Sequence, residues 1–154
     1  MGDKGFQGPP VYVVSGGSGA SGELLVRTAL AQFRAANMPL HIEPHVHTTE
    51  QIAALVERVA AKNGVIVHTL VNPQCRQYIV EAAARHRVWQ LDLVGPLLAH
   101  LGRTLDQEPV GQPGRYRQLH EAYFNRIEAI EFAIVLRIDG GSSGRLQAAA
   151  AVAE

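Results

Sequence analysis

The sequence predicts an α/β fold with a four-stranded, mostly parallel sheet and helices on both faces, flavodoxin- or Rossmann-like in connectivity. Three observations support this prediction. Short apolar runs alternate four times with helix-forming segments, which is typical of parallel sheets. The third run, VIVHTLV, is nearly continuous in apolar residues, as expected of a strand covered on both faces. A glycine-rich turn joins the first run to the first helix-forming segment.

Two strand–helix units occupy the first half of the chain. Residues 11–15 form a β-branched run that predicts a buried strand, and apolar residues at every fourth position predict a helix over 21–36. Residues 40–47 alternate and predict a second strand. Because proline cannot donate to a ladder, Pro44 indicates an edge strand or a bend there. A capping-box pattern at Thr48 predicts the start of the next helix.

The second half repeats the alternation twice and then changes. Residues 65–71 predict a central strand, and Asn72-Pro73 supplies an N-cap and a first-turn proline for the following helix. Residues 88–94 predict a fourth strand, which a further helix follows. After a polar loop over 106–116, apolar spacings of three and four predict a helix over 117–134.

Composition sets the domain boundaries and excludes some partners. We predict a flexible leader over 1–10, an α/β domain over 11–138 and a linker-like, low-complexity tail over 139–154. Fourteen basic and fourteen acidic side chains cancel, which gives no electrostatic case for nucleic acid or an anionic membrane. The lone Cys75 excludes an internal disulfide framework and suits a reducing compartment. We therefore expect a soluble intracellular protein.

Several polar segments should meet at one edge of the sheet. The carboxyl ends of parallel strands share an edge, and ligands bind there in open α/β sheets. The predicted strands end at Ser15–Gly19, His45–Thr48, Asn72 and Val94–Pro96. The sequence therefore predicts a functional rim formed by these four segments.

The turn after the first strand allows three interpretations. Gly17, Gly19 and Gly22 have the G-x-G-x-x-G spacing of a dinucleotide-binding turn, with Glu43 as a candidate ribose partner. A glycine turn that begins a helix can also bind an anion through free N–H groups, or can be a tight turn without a ligand. A dinucleotide enzyme would bind NAD in calorimetry and lose it on Gly17→Val. No P-loop of the G-x-x-x-x-G-K-[ST] type is present in this sequence.

Other polar residues have a structural and a functional interpretation. His45 and His47 make an incomplete metal-ligand set, so exposed rim histidines are favoured over a metal site. His68, within the apolar third strand, is expected to be a hydrogen-bonded core histidine. Asp92, near the end of the fourth strand, is either a functional acid or a helix cap. Arg126 either holds an anion or pairs with Glu121 or Glu128.

Five segments together carry a family signature. They read VSGGSGASGELLVRTALAQF, NGVIVHTLVNP, DLVGPLL, GQPG and HEAYFNRIEAIEFAI. Over residues 11 to about 134 the chain resembles the regulatory proteins of pyruvate, phosphate dikinase and phosphoenolpyruvate synthase. The later positions that match the family are Asp92, Gly95, Pro96, Gly111 to Gly114, Tyr123, Arg126, Glu128 and Glu131.

The resemblance also shows two departures. The family's first motif usually reads V-S-D-[SG]-T-G-x-T-A, and Ser15, Gly17 and Gly19 match it, while Ser18 and Ser21 replace threonines. Gly16 stands where that motif has its aspartate, and Asn72 replaces the aspartate of the family's L-V-D-P. A turn of serine, threonine and glycine makes the dinucleotide interpretation of the G-x-G-x-x-G spacing less favoured.

The resemblance implies a bifunctional enzyme. Such proteins phosphorylate a threonine of the dikinase or synthase with ADP, and remove the phosphate by phosphorolysis, which releases pyrophosphate. Their P-loop lies in a second half, and this chain turns to glycine, serine and alanine after Ile138. We expect a catalytically incomplete fragment or a binding-only relative, with no cofactor in this chain and ADP or ATP and phosphate implied for the full-length family.

The resulting site prediction concerns recognition and assigns no catalytic residue and no metal ligand. The expected partners are pyruvate, phosphate dikinase or phosphoenolpyruvate synthase and a phosphate or nucleotide, and homo-oligomers remain open. The expected compartment is the cytoplasm, or the chloroplast stroma for a photosynthetic eukaryote. The predicted phosphate- or partner-binding residues are Ser15, Gly17, Ser18, Gly19, Ser21, Asp92, Gln112 and Arg126.

Overall fold

A computed structural model describes residues 7–34 and 37–139 of the chain. Residues 1–6 of the predicted leader and 140–154 of the predicted tail lie outside the described residues. The chain forms two compact units, Met1–Gly114 and Arg115–Glu154. The residues predicted to make one domain, 11–138, therefore divide between two units.

The first unit contains a four-stranded parallel sheet in the order β2-β1-β3-β4. This confirms the predicted α/β fold, with every pairing in the sheet parallel. The interior position of β3 agrees with its apolar sequence, and β2 is an edge strand, as Pro44 indicated. The strands are β1 (Val11–Val14), β2 (Leu40–Glu43), β3 (Val65–His68) and β4 (Gln90–Asp92).

Six helices are described, four in the first unit and two in the second. α1 ends at Leu30, before the predicted end at residue 36. Phe33, beyond this end, is 68% exposed, so little burial would be gained by extending the helix to it. No helix of the described residues is both long enough and apolar enough to cross a membrane. The helices are α1 (Ala20–Leu30), α2 (Thr49–Ala61), α3 (Pro73–Arg85), α4 (Gly95–Leu105), α5 (Arg115–Leu119) and α6 (Glu121–Asp139).

Local side-chain caps begin α2 and α3 where the sequence predicts them. Thr48 accepts a hydrogen bond from the backbone N–H of Gln51, and the Gln51 side chain accepts one from the backbone of Thr48. The Asn72 side chain accepts from the N–H of Cys75 at 3.0 Å, with Pro73 as the first helical residue. Both predicted helix starts are confirmed.

The hydrophobic core lies on one face of the sheet. Tyr12 and Val14 of β1 and Ile66 of β3 project from this face and pack with the buried stripes of α2 and α3. Cys75 is part of this core, and burial raises the pKa of its thiol, which donates to the carbonyl of His47 at 3.4 Å. Cys75 is therefore a packing residue of this core.

The opposite face of the sheet is covered by α1, which approaches β1 closely at Gly22. Val13 points away from the core face by the two-residue alternation of a strand, and it is fully buried. A Cβ on Gly22 of α1 would lie 2.7 Å from Val13 Cγ1, so α1 packs on this face at a very short distance. Gly22 is the only buried residue of α1. Helices therefore lie on both faces, as predicted, but α1 buries little of its own surface.

His68 ends β3 inside the core face. It is fully buried, and its Nε2 lies 3.2 Å from Gln90 Oε1, which confirms the predicted hydrogen-bonded core histidine. Its Nδ1 has no hydrogen-bond partner, and Asp92 Oδ1 lies 4.0 Å away. Burial lowers the pKa of His68, and the Arg76 guanidinium adds to this, while Asp92 and Gln90 oppose it.

We predict that the free energy of unfolding falls as the pH drops below about 6.5. The folded protein disfavours the His68 imidazolium, so the unfolded chain binds the proton first, and stability is lost between its pKa and the lower folded pKa. Urea unfolding at a series of pH values measures this slope. His68→Gln should flatten it in that window, whereas His86→Gln, at an exposed position, should not. An unchanged slope in His68→Gln would contradict the assignment.

Candidate functional site

The turn after β1 is held by its own backbone and by Ser15. The Ser15 hydroxyl is buried and accepts a hydrogen bond from the N–H of Gly17 at 3.1 Å. The Ser15 N–H donates to the carbonyl of Glu43, which continues the ladder with β2. Gly19 then adopts φ +85° as the N-cap of α1. This left-handed conformation favours glycine and turns the chain from strand to helix.

Two serines of the turn are accessible. Ser18 and Ser21 are exposed, and the Ser18 hydroxyl accepts from the N–H of Ala20 at 3.4 Å. Since Gly19 has no side chain, no side-chain oxygen at the N-cap caps α1. The exposed hydroxyls therefore stand beside a helix N-terminus, where partial positive charge favours anions. The predicted phosphate contact here stays a prediction.

The segment after β2 runs along the turn. The His45 N–H donates to the carbonyl of Gly17, and the Val46 N–H donates to that of Ser15, both at 2.9 Å. His45 has φ +56°, an uncommon conformation for a non-glycine residue. The His45 and His47 rings are 6.3 Å apart between centroids. Within residues 7–34 and 37–139, no three His, Cys, Asp or Glu side chains form a group that could hold a metal ion.

The GQPG loop, residues 111–114, contacts two strand ends at once. A Cβ on Gly16 would lie 2.7 Å from Pro113 Cγ, and one on Gly111 would lie 3.2 Å from Pro73 Cδ. Gly111 has φ +68°. The loop thus packs on the turns after β1 and β3, and it carries Gln112 on its exposed side. Any side chain at position 16, including the aspartate of the family motif, would have to displace Pro113.

Asp92 acts as a helix cap. Its Oδ1 accepts hydrogen bonds from the N–H groups of Val94 and Gly95 at 3.0 and 2.7 Å. Its Oδ2 accepts from Nε and Nη2 of Arg76 at 3.1 and 3.0 Å. Burial alone would raise the pKa of Asp92. The Gly95 and Val94 amides, His68 and Arg76 together hold it below its ordinary value. Of the two predicted roles, the structure therefore supports the cap, with a carboxylate occupied on both oxygens.

Not all of the eight predicted residues lie in the same unit. Seven belong to the first unit: the five turn residues cluster, Gln112 lies on the loop that covers the turn, and Asp92 ends β4. Arg126 is exposed on α6 of the second unit. Glu128, one of its candidate partners, accepts from the Arg117 guanidinium.

Sequence reasoning missed two contacts of this rim. Arg76 pairs with Asp92. The available signal was its place in the first turn of α3, four residues after the N-cap Asn72, which puts it at the rim. The packing of Pro113 on Gly16 had no local signal, because the two residues are far apart in sequence.

The candidate ribose partner, Glu43, forms an ion pair with Arg58 at 3.0 Å.

Comparison with known proteins assigns the chain to a family. A sequence model described as kinase/pyrophosphorylase matches residues 11–152. The chain belongs to the kinase/pyrophosphorylase family. This agrees with the resemblance carried by the turn, the GQPG loop and the α6 sequence.

The relatives are named pyruvate, phosphate dikinase regulatory proteins. The chain is 46% identical to one from Chloroflexus aurantiacus over 126 residues, which are 82% of this chain and 45% of the relative. It is 43% identical to one from Listeria welshimeri, over 82% of this chain and 46% of the relative. The match to one from Halalkalibacterium halodurans is 36% over 143 residues, which cover 93% and 52% of the two chains. The chain thus spans about half the length of these curated relatives.

We predict that Gly19→Ala destabilises the first unit and that Gly17→Ala does not. A side chain at Gly19 would meet Ile42 Cγ2 at 2.6 Å in a left-handed conformation that alone costs about 1–2 kcal/mol. At Gly17 the nearest atoms would be 3.8 Å away, so a change within about 0.5 kcal/mol is expected. Chemical unfolding of both variants measures the difference. Equal losses of stability in the two variants would show that the turn requires glycine at position 19 no more than at position 17.

We predict that Asp92→Ala costs more stability than Asp92→Asn. Alanine removes the cap of α4, a loss of about 0.5–2 kcal/mol, and leaves Arg76 without its carboxylate. Asparagine retains an oxygen for the Val94 and Gly95 amides, but an NH2 group replaces the oxygen that accepts from Arg76, so the ion pair is lost and the cap is kept. Urea unfolding midpoints compare the two. If asparagine costs as much as alanine, the ion pair with Arg76 outweighs the cap.

Proposed function

We propose that this chain supplies the partner-recognition part of a pyruvate, phosphate dikinase regulatory protein and does not transfer phosphate by itself. Membership of the kinase/pyrophosphorylase family and the names of the relatives support the regulatory role. The observation that carries the proposal is the rim where the GQPG loop packs on the turn after β1, with Ser18, Ser21 and Gln112 exposed around it.

The recognised group is a phosphorylated or free threonine segment of the dikinase. The exposed hydroxyls of Ser18 and Ser21 and the amides at the start of α1 offer hydrogen bonds to phosphate oxygens. Gln112, exposed on the loop beside the turn, is a candidate contact for the segment that carries the threonine. Arg76, engaged by Asp92, keeps the neighbouring start of α4 in place.

The proposal that this chain does not transfer phosphate depends on which positively charged side chains lie at the rim. Phosphoryl transfer depends on positioning and on neutralising charge, for which a P-loop lysine is a recurring part. The chain has two lysines, Lys4 and Lys62. Lys62 is the C-cap of α2, three residues before β3 begins at Val65, which places it at the amino edge of the sheet and away from the rim. Lys4 lies outside the described residues.

We predict association with the dikinase without turnover. Purified chain is mixed with phosphorylated or unphosphorylated pyruvate, phosphate dikinase, and binding is followed by sedimentation. Parallel reactions contain ADP labelled at its β-phosphate. A complex without labelled threonine is expected, and phosphoenolpyruvate synthase is a second partner to titrate. Labelled threonine formed by this chain alone would overturn the proposal, as would the absence of any complex.

A charge added to the turn tests its place in that complex. Ser18→Asp should weaken binding to phosphorylated dikinase by at least about tenfold, because like charges repel at a phosphate contact. Ala54→Asp adds the same charge at an exposed position of α2 and should leave binding unchanged. Equal effects of the two variants would place the contact elsewhere on the chain.

A further inference from the structure

The first unit leaves large apolar side chains exposed on one strand and on the helix that follows it. Trp89 and Leu91 of the β4 segment are 57% and 43% exposed. Leu97, Leu101 and Leu105 of α4 are 58%, 42% and 60% exposed. We call these five residues the open face. Soluble proteins rarely expose large side chains in such concentration unless another surface covers them.

The strand part of the open face lies on the less covered side of the sheet. Gln90 and Asp92 of β4 contact His68 on the core face. By the two-residue alternation, Leu91 projects from the opposite face, where α1 packs on β1. All-parallel sheets normally have both faces covered by helices. The edge strand β4 lacks that cover.

The helix part of the open face is an apolar stripe on the outside of α4. Leu97, Leu101 and Leu105 follow each other at intervals of four, so they share one side of the helix over about 12 Å. Gly95 is the only buried residue of α4. In a globular domain, an amphipathic helix usually packs such an apolar stripe against the core. Here the stripe is exposed.

The charge of this region indicates the kind of partner. Arg103 is the only arginine, lysine or acidic residue within α4, and Asp92, the charged residue of β4, pairs with Arg76. A nearly uncharged, apolar surface suits a folded protein surface and does not suit nucleic acid or a charged peptide. The partner should therefore present an apolar patch of its own.

We propose that the open face is the docking surface for the other half of the longer regulatory proteins. In the Chloroflexus aurantiacus relative, the part matched by this chain is 45% of the length, so more than half of that protein lies outside the match. When two halves belong to one polypeptide, each meets the other at about millimolar effective concentration. At that concentration the second half would occupy the open face even if its intrinsic affinity were modest. This inference is independent of the proposed role of the turn.

Trp89 reports on this docking directly, because it is the single tryptophan of the chain. The full chain is titrated with the unmatched part of the Chloroflexus aurantiacus protein, its own tryptophans replaced by phenylalanine. The emission of Trp89 should shift to shorter wavelength, and its quenching by acrylamide should fall at least about threefold, as the side chain leaves water. Circular dichroism confirms that the added polypeptide is folded. If it is unfolded alone, the same readout is taken after linking it to the chain.

Two variants and one control make the result specific. Leu91→Lys and Leu101→Lys should each weaken the association at least about tenfold. Phe33→Lys, which alters a more exposed apolar residue beyond α1, should not. A folded partner that leaves Trp89 unshielded would overturn the proposal. Shielding of Trp89 in the chain alone would also overturn it. Shielding at every chain concentration would mean that this chain covers its own open face, and shielding that rises with chain concentration would mean that a second copy covers it.

Discussion

The architecture of the rim depends on three glycine positions where the packing leaves no room for a Cβ atom. Gly16 lies against Pro113, Gly19 against Ile42 and Gly22 against Val13, and in each case a Cβ would approach within 2.7 Å. Because these three contacts join the turn to a distant loop, to β2 and to the middle of β1, they fix where α1 begins and where the GQPG loop lies. A turn with side chains at these positions would separate the layers that it now joins.

Polar groups at the rim are mostly used to hold backbone in place. The Ser15 hydroxyl satisfies an amide of its own turn, and Asn72 caps α3. Asp92 caps α4 and neutralises Arg76, while burial lowers the pKa of His68 beside it. A carboxylate bound on both oxygens is poorly suited to proton transfer. The chemistry left available at the rim belongs to its exposed hydroxyl and amide groups.

Membership of the kinase/pyrophosphorylase family and the uneven burial of the first unit are consistent with each other. The face between the sheet and the helices α2 and α3 has a continuous core, whereas α1 and α4 each bury a single glycine. A parallel sheet gains stability from cover on both faces. Relatives that extend over about twice the matched length have further chain with which to provide it.

The sequence by itself determined the alternation of strands and helices, the caps at Thr48 and Asn72, and the family, because each of these depends on residues close together in the chain. Element ends were less predictable, since α1 stops at Leu30 and Phe33, within the predicted helix, is largely exposed. Only the tertiary structure decided that Asp92 is a cap paired with Arg76, that Pro113 covers Gly16, and that the stripe of α4 is exposed. Those facts depend on which distant segments meet, and a helical period gives the width of an apolar stripe without saying what lies opposite it.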